Sequence, residues 1–168
     1  ATTYDSQEKL IDMYAPTILR TLKDLDKNKV ERKHDCDATK MTEWLTVDKK
    51  LTGLFGNFHA GFPEENEVRG PGFEWGEDYT TKHTKLLDSF FEGCKQFLKE
   101  DGQIVITHKT IEPFSLWDIP GLGNKNGYKL FATHKSSIDQ YPGYFNRRGA
   151  GKQAAKRFPC DDAETYVF

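Results

Sequence analysis

Apolar and polar positions along the chain follow two periods, and the changes between them mark its elements. From Gln7 to about Lys27 the spacing is helical: Ile18, Leu22 and Leu25 share one face with Leu19 beside them, and Arg20, Lys23 and Asp24 face water. Pro16 predicts a second helical piece, because proline fits a first turn better than an interior. Asp5 or Ser6 supplies the N-cap, after what reads as the end of a strand at Ala1–Tyr4. Val30–Cys36 reads as a polar, weaker strand ending in Asp37-Ala38-Thr39, and Met41, Trp44 and Leu45 continue a short helix beneath the strand that follows. That strand, Leu51–Phe62, is apolar and glycine-lightened in its first half, as suits a buried strand between helices. Pro63 to about Tyr79 lacks periodicity and reads as a loop, either a lid or simply mobile.

Thr80–Lys99 is the clearest predicted helix. Leu86, Leu87, Phe90, Phe91, Cys94, Phe97 and Leu98 form a wide apolar stripe, which makes Cys94 a core residue. Asp101-Gly102 predicts a turn into a second buried strand, Gln103–Lys109. Phe114, Leu116 and Trp117 begin a short helix that ends near Gly123–Gly127. Tyr128–His134 and Thr165–Phe168 are the last two strands and are expected to pair as an antiparallel hairpin at the far edge. The alternation of strand and helix predicts an α/β fold built from βα units on a largely parallel sheet.

The chemistry concentrates where Leu51–Phe62 changes character, at Asn57-Phe58-His59, before Gly61 permits a sharp turn. Open α/β sheets bind ligands beyond the carboxyl ends of their strands. An Asn there donates and accepts at once, His59 can exchange a proton, and Phe58 can stack on a flat ring. The plain alternative is a strand end with a satisfied Asn and a surface His. His34-Asp35-Cys36-Asp37 is dense in metal-ligand types, but neighbours on a strand point to opposite faces and cannot converge on one ion. Asp37 is better placed as an acceptor, for a ligand or for capping a following turn. His83, near the start of its helix, either faces the ligand cleft or is a solvated or capping residue.

Composition narrows the picture. The chain has 168 residues, enough for one domain with its own core, taken here as a single unit over residues 1–168. A formal net charge of −2 gives no global attraction to nucleic acid or membrane, so such binding must come from a local patch. No apolar run reaches membrane-span length. Cys36, Cys94 and Cys160 are odd in number, widely spaced and lack a CxxC pair, which favours reduced thiols inside the cell. The local patch lies in the 141–157 loop. From Arg147 to Arg157 there are five basic residues and no acidic one, preceded by Tyr141-Pro142-Gly143-Tyr144-Phe145. Aromatics beside glycines and arginines can stack a base and hold phosphates, although a solvated cationic loop has the same composition.

Several segments together carry a family resemblance: Ala1-Thr2-Thr3-Tyr4-Asp5-Ser6, Asp37-Ala38-Thr39-Lys40, Asn57-Phe58-His59-Ala60-Gly61-Phe62, Thr107-His108-Lys109, and Tyr141-Pro142-Gly143-Tyr144 with Asn146, Arg148 and Gly149. In order and spacing the chain resembles the Rossmann-like domain of the large-subunit ribosomal RNA uridine-N3 methyltransferases and their eukaryotic relatives. The resemblance implies a class I methyltransferase three-layer sandwich, mostly parallel with an antiparallel C-terminal edge, using S-adenosylmethionine. It implies that Asp5 meets the cofactor's ribose, that Asp37, Ala38 and Thr39 lie at its adenine, and that Asn57, Phe58 and His59 border the reacting groups. His83, Lys109, Tyr141, Tyr144, Arg147, Arg148 and Lys152 are the residues expected to meet RNA, and the compartment implied is nucleolar or cytoplasmic.

Two departures qualify the match. The family opens with a strand and a glycine-rich turn around the cofactor's methionine end, and the expectation here is a domain without that first βα unit before Ala1. The family also reads Asn-Phe-Pro-His where His59 here follows Phe58 directly. Three expectations stay open: a stretch of a working enzyme whose opening segment lies elsewhere, a chain whose open sheet is filled by a partner or a second copy, or an inactive relative kept for protein or RNA binding and assembly.

Overall fold

The computed structural model describes residues 6–14, 17–46, 50–57, 75–143, 145–147 and 156–168. Two helices, α1 (Gln7–Tyr14) and α2 (Thr17–Lys27), flank Pro16 as the sequence predicts. Ser6 caps α1 by accepting a hydrogen bond at Oγ from Lys9 N. Beyond α2 the expected strand Val30–Cys36 does not form: only an isolated bridge at Lys33 remains. Lys29 and Asp35 adopt φ of 56° and 57°, so left-handed residues bracket the segment and break the extended run a ladder requires. Asp37 then caps a 3-10 turn, Ala38–Lys40, which leads into α3 (Met41–Trp44). The turn and α3 lean on the long helix of the domain rather than beneath a strand.

That long helix, α4 (Glu77–Phe97), starts at N-cap Gly76 with Glu77 and Asp78 in its first turn, where carboxylates favour the positive end of the helix dipole. Its stripe of Leu87, Phe90, Phe91, Cys94 and Phe97 is buried as expected. Gly93 admits Met41 from α3, since a Cβ there would lie 2.5 Å from Met41 Cε.

Four strands form one sheet in the order β1-β2-β4-β3: β1 (Leu51–Asn57), β2 (Leu98–Lys109), β3 (Ala132–Ser136) and β4 (Ala163–Val167). Strands β1 and β2 run parallel, while β4 is antiparallel to both β2 and β3. The C-terminal antiparallel pair is as expected, shifted to Ala132–Ser136 with Ala163–Val167. Among the described strands, however, one pairing in three is parallel, because only the β1-α4-β2 crossover supplies a parallel neighbour. The turn expected at Asp101-Gly102 is absorbed within β2, where Leu51 pairs with Leu98 and Gly53 with Gln103, so the extra residues bulge out of the ladder.

Helix α4, a 3-10 turn at Phe114–Trp117 and α5 (Ile119–Lys125) cover one face of the sheet. The single helix predicted after Phe114 is split at Asp118, whose φ of 44° redirects the chain while its carboxylate accepts from Gly121 N at 3.0 Å. A Cβ at Gly123 would sit 2.2 Å from the ring of Phe168, so glycine lets that last residue seal the core. Asp88 of α4 binds Lys125 of α5 and the C-cap Asn126, each at 2.7 Å, and these bonds, Lys125's first, lower its pKa. Among the described residues the opposite face has no comparable cover: neither α1 nor α2 packs extensively on it, and Phe55 there is 81% exposed. The second helical layer of the expected sandwich is therefore not seen among the described residues. Among the described side chains of α2 only Leu22 is buried, which leaves that helix a narrow apolar seam.

Candidate functional site

The carboxyl ends of β1 and β2 lie side by side, with Asn57 paired to Thr107. The crossover dictates this arrangement, since parallel neighbours end at the same edge. Thr107 continues a hydroxyl chain across the sheet: its Oγ1 meets Thr165 Oγ1 at 2.8 Å, and Ser136 Oγ meets the same atom at 2.6 Å. Phe58 and His59 lie outside the described residues, as do Asp5, Tyr144, Arg148 and Lys152.

Next to Thr107, the alternation of β2 turns His108 onto the buried face that also carries Ile104 and Ile106. His108 stacks on Trp117 with ring centroids 4.3 Å apart, and its Nε2 donates to Phe114 O at 3.2 Å. His83 stacks on the same indole, also at 4.3 Å, and its Nδ1 donates to Tyr79 O at 2.7 Å. Each carbonyl can only accept, so these ring nitrogens carry their protons. Trp117, fully buried, is thus held by two imidazoles, with Phe114 and Tyr79 at its edges. His83 is 3% exposed, so it is not the solvated residue that the sequence left as an alternative, and its ring packs in this stack. Sequence reading included His108 in a family segment but gave it no place, although the alternation Ile104, Ile106, His108 signals the buried face.

Lys109 points its Nζ over two rings, Phe114 at 5.0 Å and Phe158 at 5.1 Å from their centroids. Such contacts hold an ammonium by the negative faces of the rings. They also tie the end of β2 to the returning end of the basic loop. Asn146 fastens the same place: its buried amide donates to Phe158 O and approaches Cys160 Sγ at 3.6 Å. Thr110 adds two bonds to Asp162 O, from N at 2.7 Å and Oγ1 at 3.0 Å. Of the loop residues named from sequence, Tyr141 is exposed and Arg147 half-buried.

Asp37, Ala38 and Thr39 form a separate turn against α4. Asp37 Oδ1 accepts from Thr39 N at 2.8 Å and Oγ1 at 2.7 Å, while its backbone carbonyl accepts from Trp44 Nε1 at 2.7 Å. The capping role is therefore filled by Oδ1, and among the described residues Oδ2 accepts no hydrogen bond. Ala38 packs against the core. Among the described residues no group of three or more His, Cys, Asp and Glu could hold a metal ion, and no helix is long and apolar enough to cross a membrane.

A mixed α/β domain with polar groups at parallel strand ends is compatible with a methyltransferase-like fold. The chain belongs to the BMT5-like family, described as rRNA (uridine-N3-)-methyltransferase BTM5-like, whose pattern matches residues 1–148. It is also 33% identical over 171 residues to Uncharacterized protein At4g26485 of Arabidopsis thaliana, covering all of this chain and 78% of that protein. A second Arabidopsis thaliana relative, Heavy metal-associated isoprenylated plant protein 41, is 28% identical over 172 residues, and there the chain spans 31% of the relative's length.

Proposed function

We propose that this domain transfers a methyl group from S-adenosylmethionine to N3 of a uridine in ribosomal RNA. The observation that carries the reading is the family match over residues 1–148, which contains Asp37, Asn57, His83 and Lys109. The parallel pair β1 and β2, ending together at Asn57 and Thr107, supports it as the edge where such a ligand sits. The residues present fit the cofactor at the Asp37 turn, where Oδ1 holds the backbone and Oδ2 keeps acceptor capacity. Asp5, Asp37, Ala38 and Thr39 would hold S-adenosylmethionine, which supplies an electrophilic methyl group when bound.

The chain's own residues do the positioning. Asn57 and His59 orient the uracil ring, Phe58 stacks on it, and His59 accepts the proton that N3 loses on methylation. Arg147, Arg148 and Lys152 neutralise phosphates and fix the register of the strand. Alignment of nitrogen and methyl carbon supplies most of the rate. The work fits a nucleolar or cytoplasmic compartment.

Calorimetric titration of the protein with S-adenosylmethionine tests the reading. Micromolar binding that is lost in Asp37→Ala, with the fold retained, is the expected result. A folded protein that binds no cofactor would support the non-catalytic alternative, a binding or assembly module, which the direct Phe58-His59 junction favours.

A further inference from the structure

Besides the residues named from the sequence, the base of the basic loop carries a contact between a ring and a guanidinium. Phe145 enters the loop and Arg157 leaves it, and the Arg157 guanidinium lies 4.2 Å from the centroid of the Phe145 ring. The two are brought together by the buried Asn146, whose amide donates to Phe158 O and so closes the loop at its neck. Lys109 meets the other side of that neck through the Phe158 ring. The pair is thus fastened to the end of β2, the edge proposed above to take the substrate.

Phe145 is 50% exposed and Arg157 is exposed as well. An exposed ring held beneath a guanidinium presents two flat surfaces of the size of a nucleobase, with a fixed positive charge within reach of its phosphate. Arg147 and Lys156 lie one or two residues away in sequence and keep the local charge positive on a chain whose net charge is −2. Duplex RNA buries base faces within its stack, whereas unpaired nucleotides can be splayed onto a side-chain platform. Charge complementarity and flat aromatic geometry together select one occupant.

We infer that Phe145 and Arg157 form a stacking platform for an unpaired nucleotide beside the target uridine. The domain therefore recognises single-stranded rather than duplex RNA. The inference rests on the proposed RNA substrate and adds to it two contact residues and the strandedness of the site.

Fluorescence anisotropy with a labelled single-stranded oligouridylate, and with an RNA duplex of equal length, tests it on the whole protein. The wild type binds the single strand more tightly. Phe145→Ala weakens that binding by about tenfold without altering its salt dependence. Phe145→Leu, which keeps apolar bulk but loses the flat face, weakens it similarly, and Phe145→Trp restores it. Arg157→Ala weakens binding and lowers the slope of log affinity against log salt by about 0.7. Wild-type affinity in Phe145→Ala and Phe145→Leu, or equal binding of the duplex, would overturn the platform while leaving the methyltransferase reading intact. No binding of either RNA by the wild type would overturn both.

Discussion

The two faces of the sheet are made by the same strands and reach different ends. On one, Ile104, Ile106 and Tyr166 disappear beneath α4, α5 and the Phe114–Trp117 turn, together with Leu87, Phe91 and Cys94. On the other, the ladder aligns Phe55, Val105, Val167 and Ala132 in a row across all four strands. That row is half-buried at best, and Phe55 is largely exposed. Side chains alternate along each strand, so both faces carry apolar groups, but among the described residues only one face has a helix with a stripe wide enough to cover it. Burial, and with it stability, belongs to the α4 face. The strand-end groups gain their rigidity from that face, through His108, Trp117 and Phe114.

Substitutions at matched positions sharpen this contrast. Phe91→Ala in α4 is expected to cost about 3–5 kcal/mol, read by denaturant unfolding, because a fully buried ring leaves a cavity. Next comes the alkaline limit of the same face. Burial pushes the Cys94 thiol up from its ordinary 9.0 to about 12, and the Tyr128 and Tyr166 hydroxyls from 10.0 to about 12. Below pH 9 both folded and unfolded chains keep these protons, so this stabilisation is fully present. Above it the unfolded chain ionises first, and stability should fall from pH 9 towards 12 in a pH series of melts. Gly123→Ala should lower stability by about 1–3 kcal/mol, since its methyl group would displace the Phe168 ring. Thr165→Val removes the shared partner of Thr107 and Ser136 and should cost about 1 kcal/mol. On the open face, Phe55→Thr should change stability by no more than about 0.5 kcal/mol. A loss there as large as that of Phe91→Ala would erase the distinction between the faces.

The same contrast explains what the sequence made legible. Helix α4 was plain because one stripe repeats over many turns, and the pairing of β3 with β4 followed from two short runs at the chain's far end. The Val30–Cys36 segment misled because its polar alternation resembles a strand, while the left-handed Lys29 and Asp35 carry no signature as clear as glycine. The split at Asp118 was hidden for the same reason. At the site, Asp37 was recognised as a cap or acceptor from its place at the end of the expected strand, and the cap forms although that strand does not. The Trp117 stack was not legible, because it joins residues from α4, β2 and the following turn that only the crossover brings together. Phe145 and Arg157 lie twelve residues apart, and their contact depends on Asn146 closing the loop.

The most direct test of the account is methyl transfer itself. The protein, given S-adenosylmethionine bearing a labelled methyl group and unmodified ribosomal RNA, should label uridine at N3, as mass spectrometry of the digested nucleosides would report. Asn57→Ala and Asp37→Ala should each lose that label while retaining the fold. A folded protein that binds ribosomal RNA but transfers no methyl group to uridine N3 would contradict the proposed function.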